Sequence, residues 1–181
     1  MLDGTERRIL VVGSGGAGKS YVAGRLAAAT GLPLIHLDQH YWKPGWEPLA
    51  PEAWQHMVAT LCARGEWIMD GNYSATLRQR LLAADAVVFL DVPRWRCVAR
   101  VLGRIVRHWG RTRPELPPGC PERFDAAFLL WVWGYPQRSR PKLLTELSAA
   151  PSSVKKIVLR SNREVRGLIS RAGELWERPP V

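Results

Sequence analysis

Residues Gly13-Ser14-Gly15-Gly16-Ala17-Gly18-Lys19-Ser20 satisfy the phosphate-binding pattern GxxxxGK[ST], and they stand directly behind the apolar run Arg8-Ile9-Leu10-Val11-Val12. The context gives the pattern its physical meaning, because the loop has to leave a strand and open a helix. The run is short, β-branched and apolar throughout, as a strand covered on both faces of a parallel sheet must be. A helix is expected from about Lys19 to Ala29, with Val22 and Leu26 on one face and Gly31-Leu32-Pro33 ending it. Between strand and helix, glycines let successive backbone N–H groups turn inward around an anion, and the helix N-terminus adds partial positive charge. Such a chain is expected to bind a nucleoside triphosphate. Gly13 to Ser20 and the adjoining Tyr21 would wrap its phosphates, Lys19 would reach the β- and γ-phosphates, and the Ser20 hydroxyl would ligate Mg²⁺.

The rest of the chain alternates in the same way. Leu34 to Leu37, Trp67 to Met69, Ala86 to Leu90 and Lys156 to Leu159 read as four further strands. Helices are expected at Pro51 to Ala63, opened by proline in its first turn, around Ala75 to Ala83, from Arg94 to Trp109, and from Glu164 to Arg171. A proline-rich loop is expected from Thr112 to Pro121, then helical segments from Arg123 to about Leu147, interrupted near Gly134 and Pro136. Strands alternating with helices imply an α/β fold with a parallel sheet and ligands at the carboxyl ends of its strands. At 181 residues one domain suffices, spanning 1–178, with a frayed tail at 179–181.

Three cysteines, Cys62, Cys97 and Cys120, are odd in number and match no metal or disulfide spacing, so a reducing interior is expected. The N-terminus is too polar for a secretory signal, and the longest apolar run, Ala126 to Trp133, is far short of the ~20 residues a membrane span requires. A cytoplasmic protein without a membrane partner is the expectation. The formal net charge of +10 fits either a nucleic-acid partner or an anionic small substrate. From Arg94 to Arg140 there are ten arginines against three acids, Glu115, Glu122 and Asp125, so the excess is concentrated in one stretch.

Residues just after each strand are the candidates for chemistry. Asp70 follows an apolar strand and stands where a Mg²⁺-linked carboxylate is wanted, directly or through water; as Asp-Gly it also reads as a turn. Asp38 would orient or deprotonate an acceptor group facing the γ-phosphate, or else cap a local loop. Asp91, before Val92-Pro93, reads as a structural cap. His36, Asp38 and His40 alternate, but strand geometry would have to persist to residue 40 to gather them around a metal, and Gln39 onward reads as loop. Tyr41, Trp42 and Trp46 either line an acceptor pocket or pack as a loop. On the Arg94 helix, Trp95, Val98, Leu102, Ile105 and Trp109 form an apolar stripe, and Arg96, Arg100, Arg104, Arg107 and Arg111 a second one roughly opposite. Like charges at i,i+4 repel, so an anion is expected over that second stripe.

These segments together resemble the adenylate-kinase-like P-loop kinases, and most closely the small bacterial DNA topology modulation (FlaR-like) proteins. The resemblance is carried by the glycine-rich loop, His36-Leu37-Asp38 with Tyr41-Trp42 and Gly45-Trp46, Trp67-Ile68-Met69-Asp70-Gly71-Asn72-Tyr73, Phe89-Leu90-Asp91-Val92-Pro93 with the arginine helix, and Leu159-Arg160-Ser161-Asn162-Arg163-Glu164-Val165. It implies a three-layer P-loop NTPase fold, a five-stranded parallel sheet in nucleoside/nucleotide-kinase order, and a helical lid at about 104–123. It also implies that the loop around Ser161 and Arg163 lies against adenine. Where adenylate kinases have Asp-Gly-Phe-Pro-Arg, this chain has Asp70-Gly71-Asn72-Tyr73-Ser74, so the motif arginine is missing and only Arg78 or Arg80 stands nearby to replace it.

No DxxG or NKxD occurs in the sequence, which excludes the GTPase class. The expected function is therefore transfer of the γ-phosphoryl of ATP, with Mg²⁺, to a small acceptor such as a nucleotide or nucleoside. Lys19, Ser20 and Asp70 would hold phosphates and metal, Asp38 would face the acceptor, and Arg100, Arg104 and Arg107 would close over the transferring group. The alternative is an ATP-binding regulator of DNA topology whose arginine-rich segment contacts the DNA backbone. The cluster Phe128 to Leu130 with Trp131 and Trp133 would be an interface if exposed.

Overall fold

In strand β1 (Arg8–Gly13) successive side chains point to opposite faces, and both faces are covered: Ile9 and Val11 belong to one apolar cluster, Leu10 and Val12 to another. All four are fully buried, which is why the segment had to be apolar at every position. The computed structural model of the chain describes residues 2–176, so the tail expected at 179–181 lies outside the described residues.

The elements follow in the order α1 (Lys19–Thr30), β2 (Leu34–His36), α2 (Leu37–Tyr41), a small hairpin β3 (Trp42–Lys43) and β4 (Glu47–Pro48), α3 (Pro51–Cys62), and β5 (Trp67–Asp70). A 3₁₀ turn at Ser74–Thr76 then leads into α4 (Leu77–Ala83), β6 (Ala86–Leu90), α5 (Arg94–His108), α6 (Ala126–Arg138), α7 (Arg140–Ala149), β7 (Lys155–Leu159) and α8 (Asn162–Trp176). Five strands form one parallel sheet in the order β2-β5-β1-β6-β7. Helices α1, α5 and α8 bury Val22, Leu26, Val101, Ile105, Leu168 and Ala172 against one face, and α3, α4 and α7 bury Trp54, Val58, Leu61, Leu77, Leu81, Leu143 and Leu147 against the other. This is the three-layer α/β architecture. Edge strand β7 carries Lys155 and Lys156, which discourage pairing with another chain.

Four local expectations are corrected. Residues 37–41 are helical, and the hairpin at 42–48 follows; neither element is long or periodic enough to be visible in sequence. Helix α6 runs unbroken through Gly134 and Pro136, although Pro136 forfeits the bond its N–H would make to the Val132 carbonyl one turn back, and the helix ends at Ser139 instead. On α5 the buried stripe is Cys97, Val101 and Ile105, while Trp95, Leu102 and Trp109 are exposed. The apolar cluster on α6 divides, with Val132 buried and Phe128 turned inward against Gly15, and with Leu130 and Trp133 exposed. The three cysteines are free and buried. No helix among the described residues is long and apolar enough to cross a membrane.

Candidate active site

Beyond the carboxyl ends of the strands lies a cavity of about 1430 Å³. Its floor is the glycine-rich turn between β1 and α1, where Gly15, Gly16, Gly18, Lys19, Ser20 and Tyr21 line the cavity. Gly13, Ser14 and Ala17 build the turn from behind and are buried. Glycine is required at 16: φ is +74°, and a Cβ built there would collide with the carbonyl of Cys97 on α5. Lys19 opens α1 behind the left-handed Gly18, and its Nζ donates to the Ser14 carbonyl across the turn at 2.9 Å. Burial holds its pKa below the ordinary lysine value, with the charges of Asp38 and Asp70 working the other way.

Asp70 ends β5, and the parallel register sets it beside Val11 of β1 and His36 of β2. That pairing accounts for the 2.7 Å contact between Asp70 Oδ1 and His36 Nδ1. Asp70 is only 3% exposed yet lines the cavity. Burial disfavours the charged imidazole of His36, but the hydrogen bond and charge of Asp70 outweigh it and raise its pKa. His36 therefore turns to Asp70 rather than gathering with Asp38 and His40. Asp38 sits in the first turn of α2 and accepts a hydrogen bond from the Tyr73 hydroxyl at 2.5 Å. Tyr73 packs against Tyr41 and Trp54, with ring centroids 4.6 and 4.8 Å away. The aromatic group thus splits: Trp42 and Trp46 face the cavity, and Tyr41 packs behind them.

The arginine stripe splits as well. Arg100, Arg104 and Arg107 line the cavity, and Arg96 and Arg111 lie outside it. Arg100 donates to the Ala17 carbonyl at 2.9 Å and to Asn162 Oδ1 at 3.0 Å, tying α5 to the turn and to the start of α8. Arg104 donates to Glu122 at 3.0 Å, and Arg113 donates to the other oxygen of Glu122 at 2.7 Å. Glu122 is 4% exposed, so an acid eighteen residues away compensates a charge that the helix alone left unpaired. Burial lowers the pKa of Arg104, Arg113 adds to the effect, and Glu122 opposes it. Ser161 and Arg163 are not among the residues that line the cavity. Ser161 Oγ accepts from the Glu164 N–H at 3.2 Å while Glu164 accepts from the Arg160 N–H, which is a capping arrangement for α8.

Neither replacement for the missing motif arginine faces the cavity. Arg80 has no exposed surface, and Arg78 borders a shallow depression between α3 and α4. Asp91 is structural, as expected, but through ion pairing and not as a cap: Arg140 binds both its oxygens at 2.8 and 2.9 Å. Of the segment 104–123, Arg104 to His108 form the end of α5, and the rest contributes Arg113, Pro114, Glu115, Glu122 and Arg123 to the cavity wall and is clasped to α2 and the hairpin. Gly45 N–H donates to the Gly119 carbonyl at 2.8 Å, Trp46 Nε1 to Pro121 at 3.0 Å, and Gln39 Nε2 to Pro114 at 2.6 Å. Among the described residues, no group of three His, Cys, Asp or Glu side chains converges as a metal cage.

No family model and no curated protein matches this sequence. Solved structures do. A shikimate kinase from Acinetobacter baumannii, in complex with shikimate, superposes with a TM-score of 0.58 at 19% identity, over 95% of this chain and 93% of that one. A shikimate kinase from Bacteroides thetaiotaomicron gives 0.54 at 17% identity, over 96% and 100%. A sugar kinase from Janibacter sp. HTCC2649 gives 0.51 at 20% identity, over 94% of each chain. At such identities the likeness is one of fold, and the fold is that of the small P-loop kinases.

Proposed function

We propose that the chain is an ATP-dependent kinase that transfers the γ-phosphoryl group to a hydroxyl of a small acceptor. The observation that carries this reading is the single cavity shared by the glycine-rich turn and Asp38. Its volume of about 1430 Å³ exceeds the roughly 300–1,000 Å³ of a one-ligand pocket, leaving room for a nucleotide and a second molecule. The kinase names of structures sharing the fold agree with it.

The roles follow from chemistry. Backbone N–H groups of residues 15 to 20 and the N-terminus of α1 bind the phosphates, and Lys19 neutralises the bridging region. Mg²⁺ fits the donors present: it takes oxygen ligands and needs only one or two from the protein when phosphates and waters supply the others. Ser20 and Asp70, an oxygen pair lining one cavity, would hold it. When bound, it neutralises charge on the phosphate oxygens. Asp38 orients the acceptor hydroxyl and takes its proton as the new P–O bond forms and the bond to ADP breaks. Arg107, with Arg100 and Arg104 behind it, stabilises the charge spread over the transferring group.

An AMP-like acceptor draws no support from Arg78 or Arg80, since both face away from the cavity. The DNA topology reading draws on arginines of which Arg100 and Arg104 are engaged within the cavity wall. The test is ADP release from Mg²⁺-ATP across a panel of hydroxy acids, sugars, nucleosides and nucleotides, beside a salt-titrated DNA mobility shift. Acceptor-dependent ADP is expected; a salt-sensitive DNA shift with no acceptor-dependent ADP overturns the kinase reading in favour of the DNA one.

A further inference from the structure

We propose that Tyr73 is a positioning residue that fixes the Asp38 carboxylate, and that Arg80, buried under the 71–73 loop, holds Tyr73 in place for that task. The inference rests on the reading of Asp38 as the acceptor-facing group.

Three elements meet here. Asp38 comes from α2, Tyr73 from the loop after β5, and Arg80 from α4. The Tyr73 hydroxyl donates to Asp38 Oδ1 at 2.5 Å, so one carboxylate oxygen is held and the other stays available for a proton. Tyr41 and Trp54 pack against the ring and restrict its rotation. Burial and the neighbouring Asp38 charge push the Tyr73 pKa upward, so the phenol remains a donor.

The backbone at Tyr73 is strained, with φ at +29°, a region that residues with a Cβ avoid. Asparagine or glycine would relieve that strain if the position served only as a turn. The strain is held by Arg80, whose guanidinium donates to the carbonyls of Gly71 at 3.0 Å, Asn72 at 2.6 Å and Tyr73 at 2.8 Å. Among the described residues no carboxylate pairs with Arg80. A buried cation whose two NH₂ groups go to three loop carbonyls, while its Nε has no partner among the described residues, is a costly device, and what it secures is the placement of one phenol against one carboxylate.

The experiment compares Tyr73→Phe, Asp38→Asn and the double variant. The readout is kcat and KM for ADP release from Mg²⁺-ATP, with water as acceptor and with the most active panel compound, beside the melting temperature of each variant. Tyr73→Phe is expected to lower kcat roughly tenfold to a hundredfold while KM for ATP and melting temperature hold. The double variant is expected to be no slower than Asp38→Asn alone, because the phenol acts only through that carboxylate. Wild-type kcat in Tyr73→Phe, or losses that multiply in the double variant, overturns the proposal and leaves the Asp38 reading standing. Wild-type kcat in Asp38→Asn overturns that reading, and the proposal with it.

Discussion

Arg80 is a cation with no exposed surface and, among the described residues, no carboxylate paired with it, and burial lowers its pKa to about 10. Replacing it with leucine removes the buried charge but leaves three carbonyls without their donors. Arg80→Leu is expected to destabilise the fold by about 2–4 kcal/mol in urea denaturation, and a neutral variant would show that the carbonyls find other partners. Lysine is not expected to rescue it, because an ammonium is a point donor and cannot span three acceptors as a planar fork does. At this scale the motif residues were legible: Lys19, Ser20, Asp38 and Asp70 sit at strand ends or in a patterned loop, and all four reach one cavity. Tyr73 was visible only as part of a resemblance. Its partner Asp38 lies 35 positions away, and no local spacing reports such a pair.

Helix α5 shows what periodicity does and does not reveal. Its extent from Arg94 to His108 matches the expectation, but the tryptophans assigned to its core face are exposed, because Cys97 and Val101 pack beside the glycine-rich turn instead. The repulsion among its arginines pointed to an anion, and the fold already supplies one in Glu122. Glu122→Gln would leave the half-buried Arg104 facing a neutral amide while Arg113 keeps Glu115, so a loss of about 1–3 kcal/mol is expected. Amide hydrogen exchange should quicken at Glu122 and Gly110, whose N–H groups pair within the 109–122 loop. Unchanged exchange there would mean that the loop is held by its hairpin clasp alone. The clasp itself, Gly119 against Pro44 and Gly45, was not legible: Gly119 has φ of +83°, and a Cβ there would press within 2.8 Å of Pro44. A loop rich in proline and glycine reads as irregular, whereas its anchoring is tertiary.

Over the whole molecule, the two covered faces of the sheet follow from the apolar runs Ile9 to Val12 of β1 and Ala86 to Leu90 of β6, the clearest signals in the chain, whereas the strand order was implied only by the resemblance. Two carboxylates anchor the sheet to its surroundings. Asp91 is held below the usual range by Arg140 against some burial, with Arg160 adding to the effect. Asp85 is lowered too: burial raises it, but Arg8 and the backbone N–H groups of Arg7 and Arg8 prevail. A carboxylate depressed in the folded state contributes stability above its unfolded pKa of about 3.9, and that contribution is lost as pH falls through the folded value. The contribution of these two carboxylates to the urea midpoint is therefore expected to hold from neutrality to about pH 5 and to be lost below about pH 4. In the Asp85→Asn/Asp91→Asn double variant the midpoint should start lower and fall less; an unchanged acid limb would place the linkage elsewhere.

The proposed function depends on the glycine-rich turn before any other part. Isothermal titration of the chain with a non-hydrolysable ATP analogue and Mg²⁺ is expected to give one site per chain, lost in Lys19→Ala with the melting temperature retained. Absence of heat with folded protein, or equal binding in the variant, would contradict a phosphate site at residues 13 to 20.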